Sequence, residues 1–152
     1  STLIGSVLFS GVVGISSPAQ AQTSAAHYAV NQRQQVKVNA VEHAHLLTEM
    51  NAFMQAIHDI NLALAAKDLE LVASIATKMG PKNGGHDAVG KAVHDKLPQE
   101  WFALAKPTHQ NFLGIAKEAN QKSSVEAVLG AVAKTTAQCV SCHATYRLVI
   151  DN

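Results

Sequence analysis

Cys139-Val140-Ser141-Cys142-His143 stands close to the C-terminus of the 152-residue chain. Two cysteines separated by two residues and followed directly by histidine form the attachment pattern of a c-type haem. The spacing suits this chemistry, because two thiols add to two vinyl groups of one porphyrin while the adjacent imidazole reaches the iron. On a helix, Cys139, Cys142 and His143 lie on one face. The pattern therefore predicts one haem c per chain, bound covalently through both cysteines, with His143 as the proximal ligand.

The same cysteine pair is also compatible with a structural disulfide, a redox-active dithiol or half of a zinc site. A structural zinc ion needs four ligands, usually from a second Cys or His pair at matching spacing, and the chain has no further cysteine. A thioredoxin-like pair belongs to a βαβ unit, and the sequence shows no such pattern. These observations favour the haem interpretation.

Composition narrows the class of protein. The length of 152 residues suits one domain, and 47% of the residues are hydrophobic, which is enough for a sizeable core. Aromatic residues make up only 5%, which favours close-packed helices over a β-sandwich. The formal net charge of +1 gives no reason to expect a nucleic-acid partner. The sequence contains no nucleophile–base arrangement and no second metal cluster, so we expect no enzymatic activity.

The N-terminal residues indicate export from the cytoplasm. An apolar run, Leu3 to Ile15, is followed by Ala19-Gln20-Ala21, and this combination is typical of a secretory signal with a small-residue cleavage site. We therefore predict a signal segment over residues 1–21, a flexible lead-in over 22–36 and the folded domain over 37–150. Periplasmic localisation follows from this prediction. The alternative is that the segment is retained as a membrane anchor.

Two helices are predicted in the first half of the domain. The first covers residues 37–66, which contain no proline or glycine. Its apolar residues recur at spacings of three and four, and they are Leu46, Leu47, Met50, Phe53, Met54, Ile57, Ile60 and Leu64. Asp68 is the expected N-cap of a second helix over Leu69–Met79, which ends before Gly80-Pro81.

Two more helices are predicted in the second half of the domain. They follow a glycine-rich loop at 80–97, in which we expect one short helical turn from Asp87 to Lys96. The third helix runs from Pro98 to about Gln121, with a kink or break expected at Pro107. A capping box of Ser123 and Glu126 opens the fourth helix, residues 124–149. Its predicted inner face consists of Val125, Val128, Leu129, Val132, Thr136, Cys139, Cys142, His143 and Tyr146. No segment alternates with period two, so we expect no sheet.

The order of these features resembles a known family. The run Cys-x-x-Cys-His-x-x-Tyr-Arg, Cys139 to Arg147, close to the chain end is similar to that of the class II cytochromes c, the cytochrome c′ family. The resemblance covers roughly residues 37–150. It implies an all-α, antiparallel up-down four-helix bundle, with haem between the first and last helices. It also implies that a homodimer is possible through the first two helices.

The sixth iron ligand decides the function. The family includes six-coordinate electron carriers and five-coordinate proteins that bind NO or CO, so the resemblance leaves both possible. Met50 lies on the apolar face of the first helix, and at about 1.5 Å per residue it is closer to the height of His143 than Met54 is. We therefore expect Met50 to be the distal ligand, with Met54, a histidine or an open position as alternatives.

Two further residues are assigned to the haem. Tyr146 is expected to pack on its edge. Arg147 is expected either to pair with a propionate or to remain a solvated cation near the helix C-terminus. The resulting prediction is a periplasmic electron carrier that meets redox partner proteins. The alternatives are a gas-binding protein and a haem subunit docked to a membrane redox complex.

Overall fold

The computed structural model describes residues 32–81 and 87–151, and most of these residues are helical. The elements in chain order are β1 (Gln34–Val38), α1 (Ala40–Ala65), α2 (Leu69–Lys78), α3 (Ala88–Lys96), a 3₁₀ turn (Gln99–Trp101), α4 (Phe102–Asn120), α5 (Val125–Thr145) and β2 (Tyr146–Ile150). The helical content agrees with the predicted all-α class, but the prediction of no sheet was wrong. The predicted signal segment, 1–21, and residues 22–31 of the lead-in lie outside the described residues.

Helix α1 begins three residues later than predicted because Asn39 caps it. The Asn39 side chain accepts a hydrogen bond from the Glu42 amide at 2.9 Å, and the Glu42 carboxylate accepts one from the Asn39 amide at 2.8 Å. This reciprocal pair is a capping box. Residues 34–38, placed partly in the lead-in and partly in the helix by the sequence, form β1 instead.

The turns after α1 and α4 are short, as predicted, and they share one geometry. Lys67 and Lys122 adopt left-handed φ angles of 59° and 52°. The amides of Asp68 and Ser123 donate to the carbonyls of Ala63 and Glu118, five residues back. Each turn is thus a Schellman motif with lysine at the position that glycine usually occupies.

The predicted start of α5 was wrong by one residue. Ser124 is the N-cap, and its hydroxyl accepts from the Ala127 amide at 3.3 Å. The Ser123 hydroxyl donates to the Glu118 carboxylate at 2.8 Å instead. The predicted capping box between Ser123 and Glu126 is therefore absent, because Ser123 belongs to the preceding Schellman turn.

The middle of the chain contains more helix than the sequence indicated. The short turn expected from Asp87 to Lys96 is a nine-residue helix, α3, with Asp87 as its N-cap. Pro98 precedes the 3₁₀ turn and does not start the α-helix. Helix α4 continues through Pro107, so of the predicted kink or break, the break is wrong and the kink stays a prediction. Pro107 lies in the second turn of α4, where its missing amide hydrogen removes a single intrahelical bond.

Strands β1 and β2 form a parallel pair with Gln34 opposite Tyr146 and Val38 opposite Ile150. Helix α5 was predicted to reach residue 149, but it ends at Thr145 because the following residues pair with β1. Val36, Val38 and Tyr146 from the two strands are buried in one cluster. Parallel strands need a long crossover, and here all the helices form that crossover.

Two apolar clusters fill the interior formed by residues 32–81 and 87–151. The main cluster joins α1, α2, α4 and α5 around Ile60, Val72, Ile115 and Val128. The second cluster joins the strands to α1, α3 and the 3₁₀ turn, and it includes Trp101 and Tyr146. Four predicted inner residues are exposed, namely Leu47, Met54, Leu129 and His143. In the described part of the chain, no helix is long and apolar enough to cross a membrane.

Candidate haem-binding cavity

A cavity of about 270 Å³ lies among α1, α3, the 3₁₀ turn, α4 and α5. Four of the predicted site residues line it, with Cys139, Cys142 and His143 coming from α5 and Met50 from α1. Met54, the alternative ligand, lines it as well. The structure therefore brings the thiols, the imidazole and the thioethers to one place from two different helices.

The walls of this cavity are mainly apolar. Residues of four elements contribute, namely Leu46, Phe53, Val93, Leu97, Trp101, Phe102, Leu104 and Ala105. Such a lining with a few polar groups is typical of sites for cofactors and other small molecules. Met54 and His143 are exposed, so the cavity opens to solvent beside them.

Helical periodicity explains how α5 presents its three site residues. Cys139, Cys142 and His143 occupy positions i, i+3 and i+4, which lie on one face of a helix. Val140, between the cysteines, points away from the cavity and is 69% exposed. One turn before Cys139, the fully buried Thr135 fixes the same face in the core. The predicted common face of the three residues is thus present.

The electrostatic setting of the two thiols is unlike that of a redox-active pair. Burial raises the pKa of Cys139, and burial together with the neighbouring Cys139 raises the pKa of Cys142. Catalytic dithiols have a lowered pKa, often at a helix N-terminus, whereas these cysteines occupy the last turns of α5. Both thiols are therefore protonated at neutral pH.

Residues 32–81 and 87–151 do not support a zinc site either. They contain no group of three or more His, Cys, Asp or Glu residues arranged to hold a metal ion.

Met50 and Met54 differ in how firmly they are held. Met50 is half-buried and packs against the second cluster. Met54 is 65% exposed. Phe53, which lies between the two methionines in the sequence, contacts two rings. Its ring centroid is 5.6 Å from that of Phe112 and 5.0 Å from that of His109. Of the two thioethers, Met50 thus has the more fixed position on the cavity wall.

Tyr146 and Arg147 are not among the residues that line the cavity. Tyr146 is buried behind it, where its ring centroid is 5.0 Å from that of Trp101. Arg147 is the next residue of β2, so its side chain leaves the opposite face of the strand. Its Nε atom is buried and has no hydrogen-bond partner among the described residues. The haem contacts expected for both residues stay predictions.

Several polar residues of the cavity were missed by the sequence analysis, namely His45, Glu49, His94, Lys106 and His109. His109 Nδ1 lies 3.0 Å from the Met79 carbonyl oxygen. The spacing of Phe102, Lys106 and His109 at three and four residues was a usable signal, since it places all three on one side of α4.

The sequence analysis also did not identify Arg33 as a residue near the site. Its Nη1 donates to the His143 carbonyl at 2.9 Å. No local pattern reveals this contact, because it joins distant parts of the chain.

No family model, curated protein or solved structure matches this chain. The site is therefore judged from its own residues. Two thiols and an imidazole on one helical face, a thioether on the helix opposite and apolar walls between them form a donor set that fits a covalently attached haem.

Proposed function

We propose that the chain is a monohaem c-type cytochrome that transfers electrons in the periplasm. One observation carries the proposal: Cys139, Cys142 and His143 of α5 line the same apolar cavity as Met50 of α1. In this proposal α1, α2, α4 and α5 are the four helices of a cytochrome c′-like antiparallel bundle, with the haem between α1 and α5. The shared main cluster of these four helices supports that assignment.

Each residue of the site has a defined task in this proposal. The Cys139 and Cys142 thiols would hold the group on α5 by adding across its two vinyl groups, and the His143 imidazole would be an iron ligand from the same helix. The Met50 thioether binds from α1, and a thioether ligand raises the reduction potential. When bound, the haem supplies an iron that exchanges one electron. The apolar walls would pack against the porphyrin, while one edge near His143 stays open to solvent.

The partners follow from this function. An electron carrier meets redox partner proteins in brief encounters, and no substrate is converted on the protein itself. A homodimer through α1 and α2 is part of the proposal only by analogy with the cytochrome c′ family. The predicted signal segment supports export to the compartment where bacterial c-type haem is attached.

The first test is whether the haem is covalent. The full chain is expressed together with a c-type maturation system, and the intact mass is measured. We expect the polypeptide mass plus one haem, with colour that stays on the protein during acid–acetone extraction. The Cys139→Ala/Cys142→Ala variant is the matched control and should lose the added mass. A wild-type protein whose colour passes into the acetone would contradict the proposal.

The second test concerns the distal ligand, for which the chain offers a matched pair of methionines one helical turn apart. The oxidised wild-type protein should show the weak near-infrared sulfur-to-iron band, and the ferrous protein should not bind CO readily. Met50→Ala should abolish the band and open the iron to CO, whereas Met54→Ala should leave both unchanged. The reverse result would identify Met54 as the distal ligand. A wild-type ferrous protein that is high-spin and binds CO at once would favour gas binding.

A further inference from the structure

Two nitrogen-bearing side chains on the cavity wall meet at one aromatic ring. Lys106 Nζ lies 5.9 Å from the centroid of the Phe102 ring. The His94 ring centroid is 4.5 Å from the same ring. All three residues line the cavity. Phe102 thus contacts both a lysine of α4 and a histidine of α3 at the cavity, on elements that carry neither thiol.

The charge of this cavity is unevenly distributed. Glu49, its acidic lining residue, lies next to Met50 on α1, whereas Lys106 lies on α4. Asp95, the acidic neighbour of His94, forms an ion pair with Lys91 at 2.9 Å, while its distance to His94 Nδ1 is 3.8 Å. An anion entering the cavity is therefore attracted to Lys106 on α4 and repelled by Glu49 on α1.

We propose that Lys106 and His94 form a carboxylate-binding end of the cavity that takes the two propionates of the haem. This inference rests on the proposed function. The propionates leave a porphyrin from the half opposite to its two vinyl groups, so they need partners outside α5, which carries both thiols. Arg147, the partner suggested by the sequence, is not among the residues that line the cavity, whereas Lys106 and His94 are.

The solvent exposure of Lys106 and His94 suits them to binding carboxylates. The His94 side chain is 49% exposed, and Lys106 is exposed as well. A carboxylate bound there keeps most of its hydration, so the desolvation cost that makes buried ion pairs weak is small. The contact of Lys106 with the face of Phe102 restricts its long side chain, which lowers the entropy lost when it binds an anion.

The test compares haemin with haemin dimethyl ester, in which both carboxylates are uncharged methyl esters. Both are titrated into the full chain carrying Cys139→Ala/Cys142→Ala, and dissociation constants are obtained from absorbance. We expect this background to prefer haemin by about fivefold, the upper end of the range for one solvated charge pair. Adding Lys106→Met should reduce the preference to less than about twofold, and Lys106→Arg should keep it.

His94→Gln should lower the preference partly. Lys117→Met removes another exposed lysine of α4 that does not line the cavity, so it should behave like the background. Equal affinity of the background for both porphyrins would overturn the inference, and so would an unchanged preference after Lys106→Met. Neither result would affect the proposed function, which is tested separately by the covalent haem of the wild-type chain. A chain that binds neither porphyrin and gains no haem mass would reject both.

Discussion

Replacing Tyr146 by alanine tests whether this ring anchors the end of α5 or covers the haem. Tyr146 is 5% exposed, and its ring packs on Trp101 at a centroid distance of 5.0 Å. An aromatic side chain buries about 150–250 Å², which at about 25 cal/mol per Å² corresponds to about 4–6 kcal/mol. Aromatic-to-alanine substitutions in protein cores cost about 3–5 kcal/mol. We therefore expect Tyr146→Ala to lower the free energy of unfolding by about 4 kcal/mol.

Urea titration followed by circular dichroism measures this change from the midpoint and slope of the transition. Tyr146→Phe retains the ring and should cost less than about 1.5 kcal/mol. Val140→Ala, at an exposed position of the same helix, should change stability by about 0.5 kcal/mol or less. A Tyr146→Ala variant as stable as the wild type would refute the anchoring role. An altered haem spectrum in a fully stable Tyr146→Phe variant would favour the haem-edge role instead.

Two further substitutions test the fold around the site. Lys122→Gly should stabilise the protein by about 0.5 kcal/mol, because glycine adopts the left-handed φ of 52° without strain. Lys117→Gly, inside α4, should instead destabilise it by about 1 kcal/mol. Thermal melts of the two variants should show unfolding temperatures that change in opposite directions. The hydrogen bond from Lys96 holds the pKa of Glu42 below its ordinary value of 4.5, so this carboxylate stabilises the fold above that pH and loses its contribution as the pH falls through the lowered pKa. Glu42→Gln should therefore lower the unfolding temperature near neutral pH and make that temperature fall less steeply in acid than in the wild type, as measured by thermal melts across pH.

Local signals in the sequence predicted the helices well. Asp68 is the N-cap of α2, as expected, and accepts from the Leu71 amide at 2.9 Å. The short turns after α1 and α4 follow from polar residues between two apolar periodic segments. The common face of the three α5 site residues follows from helical spacing alone. In each case the physical cause lies within a few residues of the feature, so the sequence displays it directly.

Non-local features could not be predicted in the same way. Val36 and Val38 are buried by residues distant in the sequence, such as Trp101 and Tyr146, and their strand pairs with Tyr146–Ile150 from the far end of the chain. A five-residue alternation is too short to stand out before that partner is known. Likewise the periodicity of α1 did not reveal that Leu47 and Met54 lie at the edge of the apolar face, where both are exposed.

The strand pair bears directly on the proposed site, because it joins the outer ends of the two helices that supply its ligands. Strand β1 leads through Asn39 into α1, which carries Met50, and β2 follows directly after α5, which carries His143. Arg33, just before β1, donates to the His143 carbonyl in the last turn of α5. Pairing the strands therefore fixes the start of α1 and the end of α5 at the same end of the fold. The cavity between Met50 and His143 can then stay open, since the two helices are held by their flanking strands and need no close contact with each other there.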